Sequence, residues 1–113
     1  MAAAHYRLGN LVMIVDRNQL QLADFTRNIM DIDPLDRKLA AFGMEVHEVD
    51  GNDPAALTAL IEHLDHANGQ PKALIAHTTK GRGVSFMENV PAWHHKFPNE
   101  EELARALEEL ADA

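Results

Sequence analysis

Five apolar residues in a row, Leu11 to Val15, stop abruptly at Asp16, Arg17 and Asn18, and this run within the stretch Leu11–Leu22 constrains the fold most. A short continuous apolar run bounded by polar residues suits a strand buried on both faces of a parallel sheet. Ala73 to Ala76 reads as a second strand of that buried type, and Met44 to Val49 alternates as a strand with one wetter face does. Helical patterns fall between them. Asp33-Pro34 gives a cap and a first-turn proline before Leu35, Leu39 and Phe42, with Gly43 as the stop. Asp53-Pro54 repeats that start before the stripe Leu57, Leu60, Ile61 and Leu64. Strands alternating with helices imply an α/β fold with a parallel sheet and right-handed crossovers. The expectation is a partial three-layer α/β/α sheet of three parallel strands with four helices.

The remaining helices lie at the two ends. Met1 to Leu8 is Ala-rich, with Gly9 as its C-cap, and no capping residue precedes it, as in a chain that opens partway through a larger domain. Asn99 caps the last helix, which carries Glu100, Glu101 and Glu102 in its first turn and Leu103, Leu107 and Leu110 as its expected buried stripe. Two long connections, Gln21 to Asp33 and His77 to Pro98, exceed the usual length of a βα loop. Both follow the carboxyl ends of strands, where open α/β sheets bind ligands. With 113 residues the chain has length for one domain, taken as 1–113.

Charge and composition narrow the partners. A net charge of -8 without a basic patch argues against nucleic acid. No apolar run reaches the roughly 18 residues of a membrane span, and the first ten residues lack the pattern of a signal peptide. The absence of cysteine excludes thiolate sites and disulfides and fits a cytoplasmic protein.

Several residue groups carry candidate chemistry. Asn18 and the Leu20 carbonyl leave the first strand with hard oxygen donors suited to magnesium or calcium, although Asp16 and Asn18 also read as turn residues. Lys80-Gly81-Arg82-Gly83 combines two cations with two glycines, a pattern for an anion or for a plain solvated turn; it lacks Walker spacing. Trp93-His94-His95-Lys96 offers imidazoles to a phosphate or a proton, or forms a surface loop with a half-buried indole. His63 and His66 lie at i, i+3, without a third ligand to make zinc the better reading. Ser85 lacks a nucleophile-elbow pattern.

Three blocks, AAAHYRLGNLVMIVDRNQLQL, FGMEVHEVDGND and AHTTKGRGVSFMENVPAWHHKFP, together resemble the transketolase family, most closely the N-terminal subunit of split transketolases, which use thiamine diphosphate. The resemblance implies that Asn18 binds the divalent metal, Mg2+, through its side chain and Leu20 through its carbonyl. It places Lys80 near the cofactor, a position that is apolar in some members. It gives His94 a catalytic place facing the diphosphate and the substrate channel. His95 stands where the family usually has glycine. The implied reaction moves a two-carbon ketol unit between sugar phosphates, with a second transketolase chain or missing domain segments as partner. The family's metal aspartate and Gly-Asp-Gly turn lie a helix and a strand upstream of Asn18, and the 17 residues before it leave no room for them at about 1.5 Å per helical residue. The chain is therefore expected to be the carboxyl part of a diphosphate-binding domain, inactive alone. Alternatives are a non-catalytic α/β remnant and a small metal-binding module.

Overall fold

A computed structural model describes residues 1–111, and residues 112–113 of the expected domain lie outside the described residues. The chain divides into two compact units, Met1–Arg17 with Ile32–Thr78, and Asn18–Asp31 with the described residues from Thr79 onward. The first unit holds α1 (Ala2–His5), β1 (Val12–Arg17), α3 (Leu35–Ala41), β4 (Glu45–Asp50), α4 (Pro54–Glu62) and β5 (Lys72–His77). The second holds β2 (Leu20–Gln21), β3 (Asp24–Phe25), α2 (Thr26–Ile29), a 3-10 turn at Pro91–His94 and α5 (Glu100–Ala111).

In the first unit the strands form a parallel sheet in the order β1-β5-β4. Val12 and Glu45 flank Lys72, and the pairing runs in step to Arg17 and Asp50 flanking His77. β5 is central, and its residues Lys72 to Ala76 are all buried. β4 is an edge strand, which explains its alternating sequence. The expected double-sided burial of β1 does not occur: Leu11 is 40% and Ile14 56% exposed. β1 pairs with β5 alone among the described strands and is an edge strand of this sheet.

The two cap-plus-proline starts behave differently. Asp53 accepts from Ala55 N–H at 2.9 Å and Ala56 N–H at 3.1 Å, a side-chain N-cap of α4. Asp33 caps nothing. The N-cap of α3 is Pro34, and the Asp33 carboxylate instead takes both oxygens to Arg17 Nη2 at 2.6 Å. A charge-assisted contact with the guanidinium thus engages the carboxylate that the sequence pattern assigned to the cap. The first helix is also shorter than expected, closing at Tyr6 rather than running to Leu8 and Gly9. In the Asp50-Gly51 turn, a Cβ on Gly51 would lie 2.5 Å from Thr78 Cγ2 and 2.9 Å from Ala76 Cβ, so only glycine fits against β5.

Lys72 is fully buried at the amino end of β5. Its ammonium donates to Asn68 Oδ1 at 2.8 Å and to the Gln70 carbonyl at 2.6 Å, and lies 3.0 Å from Glu45 Oε2. Asn68 Nδ2 donates to the same carboxylate at 2.8 Å, and His47 Nε2 sits 2.8 Å from its other oxygen. Hydrogen bonds from Asn68, then Lys72 and His47, hold the Glu45 carboxyl down at about 2.

In the second unit, Gln21 to Asp33 is not irregular throughout. Leu20–Gln21 pairs antiparallel with Asp24–Phe25, and the short α2 follows. α5 starts with reciprocal capping: Asn99 Oδ1 accepts from Glu102 N–H at 2.8 Å, and Glu102 Oε2 accepts from Asn99 N–H at 3.0 Å. Its leucines are not a buried stripe. Leu103, Leu107 and Leu110 are 48%, 60% and 50% exposed, and Ala106 is the buried residue of α5. Polar anchors set this orientation, as Glu102 binds Lys96 and Glu109 binds Ser85.

Two measurements follow from these contacts. Replacing Asp53 with Ala should cost about 1 kcal/mol by thermal denaturation, the usual value of a side-chain N-cap. The depressed Glu45 carboxyl favours the folded state fully above its ordinary value of 4.5, and that contribution fades as pH falls towards about 2. Glu45→Gln should therefore flatten the fall in melting temperature between these pH values.

Candidate functional site

The sheet fixes where the two long connections begin. Arg17 and His77 are paired across β1 and β5, so both parallel strands end at the same edge. Asn18 follows Arg17 directly in sequence, and Lys80 lies three residues after His77. Asn18, Leu20, Lys80 and His94 all belong to the second compact unit.

Asn18 is half-buried, and its Oδ1 accepts from Leu20 N–H at 2.9 Å. This Asx turn aims the chain into β2. Gln19 takes a positive φ of 61°, and its carbonyl accepts from Thr26 N–H at 2.8 Å, which ties the hairpin to the start of α2. Asp24 holds the far side of the hairpin by accepting from Phe25 N–H at 2.6 Å and from Asn28. The backbone bond from Phe25, then Asn28, lowers the Asp24 carboxyl pKa. The turn reading of Asn18 is thus realised in its geometry, and the amide oxygen keeps a second lone pair for a ligand.

Lys80-Gly81-Arg82-Gly83 is a tight turn. Gly81 has φ 78°, and a Cβ there would lie 2.8 Å from the Met87 carbonyl group. The Gly83 N–H donates to Glu88 Oε1 at 3.1 Å, so a carboxylate of the chain occupies this backbone donor. Asn89 N–H donates to the Lys80 carbonyl at 3.0 Å and closes the loop. Within it, Lys80 Nζ lies 3.5 Å from His94 Nδ1. An ammonium can only donate, so a hydrogen bond here requires the His94 tautomer whose Nδ1 is free to accept. That leaves one ammonium and one imidazole N–H, side by side on an exposed loop, as donors for an anion.

The neighbouring indole is half-buried, and Trp93 Nε1 donates to the Phe86 carbonyl at 3.1 Å. Lys96 Nζ lies 4.1 Å from the centre of the Trp93 ring and also binds Glu102. The rings of His94 and His95 meet edge to face, 4.4 Å apart. His63 and His66 do not converge: their Nδ1 atoms face the Ala59 carbonyl at 2.6 Å and the Gly9 carbonyl at 3.3 Å. Ser85 is engaged by Glu109 and Arg105.

As metal donors, the Asn18 amide oxygen and the Leu20 carbonyl are of the hard type that Mg2+ takes, but both are neutral. Among the described residues no three His, Cys, Asp or Glu side chains converge to hold an ion. These residues fit part of a magnesium shell and do not complete one. Sequence reasoning also passed over a cavity of about 230 Å³ in the first unit, lined by the polar residues Arg17, Asp33, Asp36, Glu48 and His77 together with Leu35 and Ile75. Its ordering contacts are the Arg17–Asp33 pair and the 2.6 Å contact of His77 Nε2 with Glu48. In sequence the only signal was the polar residue ending each strand.

Parallel strands running in step and ending in two long connections define an α/β protein. The family described as transketolase, thiamine diphosphate binding domain, matches residues 1–111, and the chain belongs to that family. An apulose-4-phosphate transketolase subunit of Actinobacillus succinogenes is 53% identical over 112 residues, 99% of this chain and 40% of that protein. A 6-deoxy-6-sulfo-D-fructose transketolase subunit of Clostridium sp. is 34% identical over 97% of this chain and 40% of its own length. The chain thus spans about 40% of the length of these relatives. Transketolase from Campylobacter jejuni shares the fold, with TM-score 0.81 at 22% identity over 97% of this chain and 17% of that one. No helix among the described residues is long and apolar enough to cross a membrane.

The Lys80–His94 contact can be tested directly. Nitrogen NMR should show His94 mainly as the Nε2–H tautomer at alkaline pH, and Lys80→Met should return it towards a mixture. An Nδ1–H majority in the unaltered chain would contradict this geometry.

Proposed function

We propose that the chain is the carboxyl part of the diphosphate-binding domain of a split transketolase, acting with a second transketolase chain. The observation that carries this reading is the family match through residues 1–111, which spans Asn18, Leu20, Lys80 and His94. Two of the matched relatives are named as transketolase subunits, which supports a partner chain. The reaction is transfer of a two-carbon ketol unit between sugar phosphates. Thiamine diphosphate, when bound, supplies the carbanion chemistry, and the protein positions the reacting groups.

In this reading Asn18 and Leu20 give two oxygen ligands to Mg2+. Lys80 adds positive charge near the diphosphate. His94, exposed beside Lys80, donates to the diphosphate or to a substrate oxygen and is the catalytic residue of this chain.

The same donor set limits what the chain does unaided. Two neutral oxygens leave a divalent ion mostly hydrated, because tight sites add carboxylate charge. An exposed pair with Lys80 adds only about 0–1 kcal/mol. The chain alone therefore binds thiamine diphosphate weakly and turns nothing over.

Calorimetric titration of the purified chain with thiamine diphosphate and Mg2+ tests this. Affinity weaker than micromolar is expected, with no ketol transfer in a coupled assay. Adding a chain that carries the family's metal aspartate and Gly-Asp-Gly turn should restore binding. In the restored complex Asn18→Ala should weaken it by roughly tenfold or more, as loss of a metal-ordering group does. Micromolar binding without the partner, or restoration that ignores Asn18, would refute the assignment.

A further inference from the structure

The two edges of the parallel sheet are built differently. At the two ends of the β1–β5 pairing, Lys72 N–H donates to the Leu11 carbonyl at 2.9 Å and Thr78 N–H to the Arg17 carbonyl at 3.4 Å. Backbone groups alternate sides along a strand, so Leu11, Met13, Val15 and Arg17 face β5. The N–H and C=O groups of Val12, Ile14 and Asp16 therefore point to the other side of β1, where no described strand is paired. On β4, the opposite edge, Glu45 N–H donates to the Pro71 carbonyl at 2.9 Å and Gly51 N–H to the His77 carbonyl at 2.8 Å. The same alternation turns the backbone groups of Val46, Glu48 and Asp50 outward there.

The side chains separate the two edges. β4 carries Glu45, His47, Glu48 and Asp50, and charged residues are a common means of keeping an open edge from pairing. β1 has no such protection from Leu11 to Val15: that run holds no charge, proline or glycine, and its pairing with β5 runs in step without a bulge. Five consecutive apolar residues are the composition of an interior strand of a parallel sheet. The open backbone also states what matches it. Alternating N–H and C=O groups at strand spacing are met by extended backbone, as in recognition by strand addition.

We propose that the open edge of β1 takes one extended strand of the partner chain, parallel to β1, as the fourth strand of the sheet. The inference rests on the partner chain of the proposed function and not on its cofactor or metal ligands. The Val12 C=O and Ile14 N–H serve one residue of the added strand, and the Ile14 C=O and Asp16 N–H serve the next but one. Family polypeptide beyond this sequence exists to supply it, since the chain spans about 40% of the length of the relatives compared above. A second copy matches less well. A two-fold pair sets β1 against β1 antiparallel on an otherwise parallel sheet, and it brings two net charges of -8 together.

The test uses the complex of this chain with the added chain of the preceding experiment, and reads amide hydrogen exchange residue by residue by NMR. The amides of Val12, Ile14 and Asp16 should exchange about tenfold or more slowly than in the chain alone, while those of Val46, Glu48 and Asp50 keep their rates. Ile14 is 56% exposed, so Ile14→Lys should leave the melting temperature of the chain alone unchanged. The same variant should weaken binding of the added chain about tenfold or more, because lysine on an edge strand opposes pairing. A complex that restores cofactor binding while the Ile14 and Asp16 amides exchange as in the free chain overturns this inference and leaves the proposed function standing. Failure to form any complex overturns both. A dimer of the chain alone that Ile14→Lys dissolves in sedimentation velocity gives the edge to a second copy and overturns the inference as well.

Discussion

β5 is the constraint from which the first unit is built. Its residues Lys72 to Ala76 are all buried, and it is paired on both sides. A strand placed there must find partners for every N–H and C=O in neighbouring strands, since an unpaired buried group costs about 1–3 kcal/mol. The in-step parallel pairing with β1 and β4 meets that demand and fixes the register of the whole sheet. Gly51, packed against Ala76 and Thr78, lets the turn after β4 lie flat on this strand.

Charge follows from the same placement. Lys72 begins β5 and is fully buried, so its ammonium needs acceptors close by. Asn68, Gln70 and Glu45 surround it, and Glu45 in turn gathers Asn68 and His47. At the other end, Arg17 with Asp33 and His77 with Glu48 order the side chains where the strands finish. The loops that carry the candidate ligand groups therefore start from an edge whose polar residues are already paired.

The second unit relies on short-range polar contacts more than on a core. Val84 and Ala106 are its buried apolar residues, while Asx turns, a capping box and the Ser85–Glu109–Arg105 cluster hold its loops. This explains why α5 docks by Glu102, Ala106 and Glu109. Two carboxylates with fixed donors hold that face, while the leucines stay about half-exposed.

The sequence by itself determined the α/β class, the three parallel strands, the Asp53 and Asn99 caps, and the family to which the chain belongs. These rest on local pattern: apolar runs, capping residues and three ordered blocks read directly from the chain. Asn18, Leu20, Lys80 and His94 were legible as candidates for the same reason, since each stands beside a strand end or in a distinctive short segment. The tertiary structure alone decided which strand is central, that Asp33 pairs with Arg17 rather than capping α3, that Ile14 and the α5 leucines stay exposed, and that Lys80 meets His94. Periodicity says which side chains share a face. What lies opposite that face depends on residues distant in sequence, and only the folded chain brings them there.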